Sequence, residues 1–232
     1  MAYYKDLPTR MPHLKQGPFQ KPDTVYNAIT EVGYHTVSYG LVDSYFGNVS
    51  YELDGILYIS QTASSLDELA HQIDPCPLDG SSCAAITASS EFSAHKKIVL
   101  DNNYQAVLHG HPRFSVVMSL FCTHRNLCHN NNQCHTHCNK NRQIQDVPVI
   151  PGEVGCGPYG LVHTLPKAFK DSKSVIVYGH GVLLWVKLIL SQHLNVWQEL
   201  KKCVRMNTLD CLGMLENKFP NSGDTILINL IS

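Results

Sequence analysis

The chain lacks an apolar run long enough to cross a membrane, which takes about 20 residues; its longest candidate, Val182 to Leu190, is interrupted by Lys187. It lacks an excess of either charge, with 18 Lys and Arg against 19 Asp and Glu and a formal net charge of -1. No global basic field therefore points to a nucleic acid. Its first residues lack the apolar core of a secretory signal, since Met1 to Lys21 is polar and carries three prolines. It also lacks an even set of cysteines. Nine cysteines without a secretory signal fit a reducing cytoplasm better than a disulfide framework. No internal repeat is visible. The expectation is a cytoplasmic protein with neither a membrane nor a nucleic acid as its partner. What is present is 232 residues, 44% hydrophobic and 16% charged, enough for one domain with a sizeable core.

Residues 1–21 read as an irregular N-terminal arm, and residues 22–232 as the domain. From Pro22 to about Tyr39 the spacing of Val25, Ile29, Val32 and Thr36 predicts a helix that Gly40 can close. Two strand-like runs, Asn48 to Leu53 and Ile56 to Ile59, flank Asp54-Gly55, a strong hairpin signal. Ser65-Leu66-Asp67-Glu68 has the form of a capping box opening a short helix. Pro75 to Cys83 reads as turns. A helix is expected from about Ser90 through Phe92, His95, Ile98 and Val99. Tyr104 to Leu108 and Val175 to Tyr178 read as buried strands. Pro112 is placed to open a helix through Phe114, Val116, Val117 and Leu120. Beyond Ser191 a helix is expected through Leu194, Trp197, Leu200 and Val204. Hairpins without a regular βαβ rhythm predict an α/β fold with an at least partly antiparallel sheet.

The most informative feature is His109-Gly110-His111 at the end of a strand, where residues two apart point to one face. Two imidazoles on one face can grip one metal ion. An H-x-H pair alone is common, and His180, flanked by Gly179 and Gly181 after another strand, is what adds weight. Three nitrogens with one position left open distinguish a catalytic zinc site from a closed structural one. The ring nitrogens are then expected within roughly 3–4 Å of one another, from Zn–N bonds of about 2.0–2.1 Å.

Ser89-Ser90-Glu91 stands at a helix start, where free N–H groups and the dipole favour an anion; simple N-capping by serine is the alternative. Gly47-Asn48-Val49-Ser50 is a second anion-friendly segment, and Thr62 could add a hydroxyl. Asn48, Ser50, Thr62, Ser89 and Ser90 are thus candidates for one anion pocket.

A second cluster lies in the loop at about 122–142, where Cys122, His124, Cys128, His129, Cys134, His135, His137 and Cys138 fall within seventeen residues. Cys128, Cys134, Cys138 and His137 are candidates for a separate structural metal, although the spacing is not a standard C-x2-C knuckle. The alternative is a surface loop with reduced cysteines. Glu153, in the Gly-rich stretch after Pro151, is a further carboxylate that could enter the site.

Taken in order, Gly47-Asn48-x-Ser50, Thr62, Ser89-Ser90-Glu91 with His95, His109-x-His111 and His180-Gly181 resemble the class II aldolase/adducin family over about Ile29 to Trp185. The resemblance implies a three-layer α/β/α fold on a largely antiparallel central sheet. It implies a divalent cation, zinc or else Mn2+ or Co2+, on His109, His111 and His180. Glu91 matches the family's catalytic acid/base. Asn48, Thr62, Ser89 and Ser90 match its phosphate-binding residues. The implied activity is a lyase that cleaves or forms a carbon–carbon bond of a sugar phosphate through a metal-stabilised enediolate, in a homotetramer. Dehydratases, epimerases and decarboxylases share that metal site, and the adducin branch is a non-catalytic interaction module. The chain departs from the family pattern at Thr62-Ala63, where Thr-Gly is usual, in having no tyrosine after Tyr178, and in the Cys/His-rich segment.

Overall fold

A computed structural model describes residues 19–122, 133–138 and 140–186. The expected arm over 1–21 is described only from Phe19 on, and the helix expected beyond Ser191 lies outside the described residues. Phe19 is buried, its ring 5.1 Å from that of Tyr51.

Helix α1 (Pro22–Ser38) begins at a proline, whose missing N–H costs nothing in the first turn. It buries Val25, Ala28, Ile29, Val32 and Thr36, the stripe expected from the sequence. Strands β1 (Gly47–Leu53) and β2 (Ile56–Ser60) pair antiparallel around Asp54 and Gly55, which have φ of 51° and 80°. Two left-handed residues give the turn whose twist suits a two-residue hairpin. Strand β3 (Ile73–Pro77) then forms the sheet edge. It corrects the expectation of turns after Pro75: proline lacks a ladder donor, but an edge strand needs donors on one side only. Around Ser65 the capping box does not form. Leu66–Glu68 is a single 3-10 turn, and the Ser65 hydroxyl bonds the Asp67 carboxylate at 2.9 Å and Ser44 at 2.7 Å.

The remaining elements are α2 (Phe92–Asn102), β4 (Ala106–Gly110), α3 (Arg113–Leu120), β5 (Arg142–Ile144), β6 (Val147–Ile150), α4 (Leu161–Ala168), β7 (Ser174–Val177) and β8 (Gly181–Val186). The eight strands form one sheet in the order β3-β2-β1-β4-β8-β7-β6-β5, antiparallel except between β6 and β7. This is the expected largely antiparallel sheet flanked by helices.

Alternation along the central strands builds two cores. Ala106 and Leu108 of β4, with Val182 and Leu184 of β8, face the cluster that holds the α1 residues. Val107 and Leu183 face the other way, against Ala94 and Ile98 of α2 and Leu161, Leu165 and Phe169 in and beside α4. Period-two alternation with both faces apolar is what a strand covered by helices on each side requires. The antiparallel order has one consequence for chemistry. The start of β1, the end of β2, the end of β4 and the start of β8 all meet at one rim of the sheet.

Candidate metal centre and active site

The rim gathers residues far apart in sequence. In β4, His109 pairs with Asn48 of β1 on one side and Leu183 of β8 on the other. His111 follows, with its N–H bonded to the Phe46 carbonyl at 3.1 Å. His180 sits on the turn between β7 and β8. The ring centroids of His109, His111 and His180 lie 4.6–4.9 Å apart, and one ligand atom from each falls within 4.8 Å of the others. The outer limit is wider than the expected 3–4 Å, so the triangle is slightly open. Among the described residues it is the one group of three or more His, Cys, Asp or Glu able to hold a metal.

Two observations fit a cation there. Nε2 of His109 and Oδ1 of Asn48 are buried without a hydrogen-bond partner, and an orphaned buried acceptor is costly unless something occupies its lone pair. Gly181 also leaves room where a side chain would intrude. A Cβ there would lie 2.6 Å from the Gly110 carbonyl oxygen, 2.8 Å from His109 Nε2 and 2.8 Å from His111 Cδ2.

Glu91 stands at the N-cap position of α2 without a side-chain capping bond and is 5% exposed. Its Oε1 is 2.9 Å from His180 Nε2, and its Oε2 contacts His109 Nδ1 and accepts from Asn48 Nδ2 at 3.1 Å. Burial raises the Glu91 pKa. The His109 ring beside it and the hydrogen bonds from His109 and His180 outweigh burial and hold the carboxyl well below the usual carboxylate range. At His111, burial first and the neighbouring His109 and His180 second lower the pKa to about 3, with Glu91 opposing. His111 is therefore a neutral imidazole at neutral pH, the form that ligates metal.

The anion-pocket candidates divide. Asn48 directs its amide to Glu91. Ser89 is buried, and its hydroxyl accepts from the Glu91 N–H at 3.3 Å. Ser90 is exposed beside it. The bridge between Gln61 and Ala88 brings exposed Thr62 to the same segment, where its hydroxyl donates to the Ala88 carbonyl at 2.9 Å. Ser50 stands apart: it is fully buried, and its hydroxyl bonds His95 Nδ1 at 2.8 Å. The pairing of Ser50 with His95, one turn into α2 below Glu91, is a feature that sequence reasoning missed. Both residues were visible, but nothing in their spacing joins them. Phe46 was missed too. Its half-exposed ring lies 5.9 Å from His111, and its sole sequence signal is an aromatic just before Gly47.

The Cys/His-rich segment is described in part. Cys128 lies outside the described residues. Cys138 Sγ points to the Lys140 carbonyl at 3.6 Å, and the His137 ring meets Tyr159 edge-on at 5.0 Å. Cys134 is partly buried and carries a free thiol. Glu153 faces His135 at 3.6 Å rather than the three-histidine group, and His163 is exposed on α4.

This geometry is a three-histidine group that could hold a metal ion, on an α/β scaffold. Residues 27–207 match the family described as class II aldolase and adducin N-terminal domain, and the chain belongs to that family. No curated protein sequence matches it. Solved structures share the fold. L-fuculose-1-phosphate aldolase from Thermus thermophilus matches with a TM-score of 0.64 at 18% identity, covering 87% of this chain and 98% of that one. YgbL from Klebsiella pneumoniae, whose own reaction is given only as aldolase, epimerase or decarboxylase, matches at 0.62 and 19%, covering 89% and 95%. A sugar-phosphate aldolase from Thermotoga maritima matches at 0.55 and 17%, covering 83% and 96%.

Proposed function

We propose that the protein is a zinc-dependent lyase, active as a cytoplasmic homotetramer, that cleaves or forms a carbon–carbon bond of a sugar phosphate. Mn2+ or Co2+ is the alternative cation. The observation that carries this reading is the buried Glu91 carboxylate set against two of three clustered imidazoles. His109, His111 and His180 would hold the cation. When bound, it supplies Lewis-acid polarisation of a hydroxy-carbonyl and stabilises the oxyanion that develops.

The chain's own residues supply the rest. In the bond-forming direction Glu91 takes a proton from the carbon beside the substrate carbonyl, that carbon attacks the aldehyde carbon, and the resulting alkoxide takes up a proton. Cleavage runs the same steps in reverse, with Glu91 returning a proton to the enediolate carbon. The Glu91 pKa is low while the histidines bond it, and it rises once a substrate breaks those bonds and closes off water. Asn48 orients the carboxylate through its 3.1 Å hydrogen bond. Ser89, Ser90 and Thr62 line the α2 start, where N–H groups favour the substrate's anion.

A second reading is a dehydratase or epimerase acting from the same centre on a substrate without phosphate. It is favoured by the Thr62 hydroxyl being engaged with Ala88 and by the methyl of Ala63 standing in a left-handed turn at φ 58°. The adducin-like interaction module is disfavoured by the presence of all three histidines together with Glu91.

Elemental analysis of purified protein, followed by a screen of sugar phosphates and of aldehydes with dihydroxyacetone phosphate, tests these readings. Zinc near one per chain with aldol turnover is the expected result. Turnover of unphosphorylated acids or sugars alone selects the second reading. Neither metal nor turnover selects the interaction module.

A further inference from the structure

Of the three clustered histidines, two belong to β4 and its immediate extension, where ladder bonds fix the backbone. His180 instead hangs on the turn between β7 and β8, and that turn is fastened from outside the site. Gly179, at φ 65°, donates its N–H to the Ser119 hydroxyl at 2.8 Å. The same hydroxyl donates to the Val116 carbonyl at 2.6 Å, so its orientation is set. Ser119 is fully buried near the end of α3. Its carbonyl accepts from Arg142 Nη2, which also donates to the Phe121 carbonyl at 2.8 Å. The Arg142 guanidinium lies 5.2 Å from the ring centroid of Tyr178, the residue before Gly179. Arg142 thus grips both the end of α3 and the strand end from which the turn departs.

We propose that Ser119 and Arg142 are positioning residues for the metal centre, fixing the Gly179–His180 turn so that the third imidazole meets the two from β4. This rests on the reading of the three histidines as metal ligands. Arginine suits the task because its planar guanidinium can donate to carbonyls and lie over an aromatic ring together. Neither residue belongs to the histidine group itself. Their effect passes through the backbone of Gly179.

The test is zinc affinity of the full chain, by competition with a chromogenic chelator, for wild type, Ser119→Ala, Arg142→Met, Arg142→Lys and the surface control Lys97→Ala. The visible spectrum of the cobalt(II)-loaded protein and the thermal midpoint of the metal-free protein are read beside it. Ser119→Ala and Arg142→Met are expected to weaken zinc binding roughly 10- to 100-fold, as loss of groups that orient metal ligands does, and to change the cobalt spectrum. Arg142→Lys keeps a charge and a donor and recovers part of the affinity. Lys97→Ala binds as wild type does. Should Ser119→Ala fail to fold, Arg142→Met on its partly exposed side chain decides. Folded variants with wild-type zinc affinity and an unchanged cobalt spectrum overturn the proposal, even if they melt earlier without metal. A wild type that takes up no zinc overturns the metal reading itself, and this inference with it.

Discussion

Oε1 of Glu91 stands 2.9 Å from Nε2 of His180, across 89 residues of sequence. A carboxylate from the start of a helix and an imidazole from a strand turn thereby share one small volume, with His109 on the other carboxylate oxygen. The acid/base candidate is held by the same rings that would hold the cation.

Glu91→Gln keeps the shape of the side chain and removes the base. It is expected to retain fold and metal while kcat falls by about 10²–10⁴, the usual contribution of general acid–base catalysis. Circular dichroism, elemental analysis and turnover of the identified substrate check this. Unchanged turnover would move proton transfer elsewhere.

Gly181→Ala places a methyl against the Gly110 carbonyl, His109 Nε2 and His111 Cδ2. Bound metal should drop well below one per chain, as in His109→Ala and His180→Ala. Full metal content in Gly181→Ala would mean that the cation, if any, sits away from the His109 Nε2 side.

Stability of the metal-free protein should fall with acid. The pKa of His111 is 6.5 as a free side chain and about 3 in the fold. Between those values the unfolded chain binds the proton that the fold refuses, so its contribution is complete above about pH 6.5 and is lost as pH falls toward 3. Glu91, lowered from 4.5, adds a loss that begins below that value. The thermal midpoint is expected to decline from pH 7 to 5 and more steeply below 4.5. His111→Asn should flatten the first part of that decline. A variant with the wild-type slope would assign the effect to other groups.

Ser50→Ala should act on stability rather than on substrate binding. Its hydroxyl is buried against His95, and removing one partner of a buried hydrogen bond costs about 1–3 kcal/mol. Ser90→Ala, at the exposed helix start, should instead raise KM for a phosphorylated substrate more than for its unphosphorylated analogue. Urea unfolding and paired kinetics separate the two. A KM effect from Ser50→Ala without destabilisation would restore Ser50 to the pocket.

Ala63→Gly should stabilise the fold. Left-handed backbone costs a non-glycine residue about 1–2 kcal/mol, and glycine's greater freedom when unfolded returns roughly 0.5–1 kcal/mol of that. A gain between zero and about 1.5 kcal/mol in chemical denaturation is expected on these figures. A loss would show that the Ala63 methyl makes a contact worth more than the strain.

Much of this protein was legible from its sequence, because the signals are local. Helix α1, the Asp54-Gly55 hairpin, α2 and the strands before His111 and His180 follow from periodicity and turn chemistry within a dozen residues. The two histidines of H-x-H share a face because strand geometry repeats every two residues. Strand β3 was hidden by its prolines, which only an edge position tolerates, and the Ser65 capping box lost to nearby Ser44 and Asp67. Helix α4 was hidden by Pro166 within it. What tertiary structure alone decided is which side chains share a volume. The antiparallel order brings the ends of β2 and β4 and the starts of β1 and β8 to one rim, and α2 packs so that Glu91 reaches His109 and His180 while His95 takes the hydroxyl of Ser50. Partner choice across 45 or 89 residues is set by packing two apolar faces of one sheet, and no periodicity along the chain encodes it.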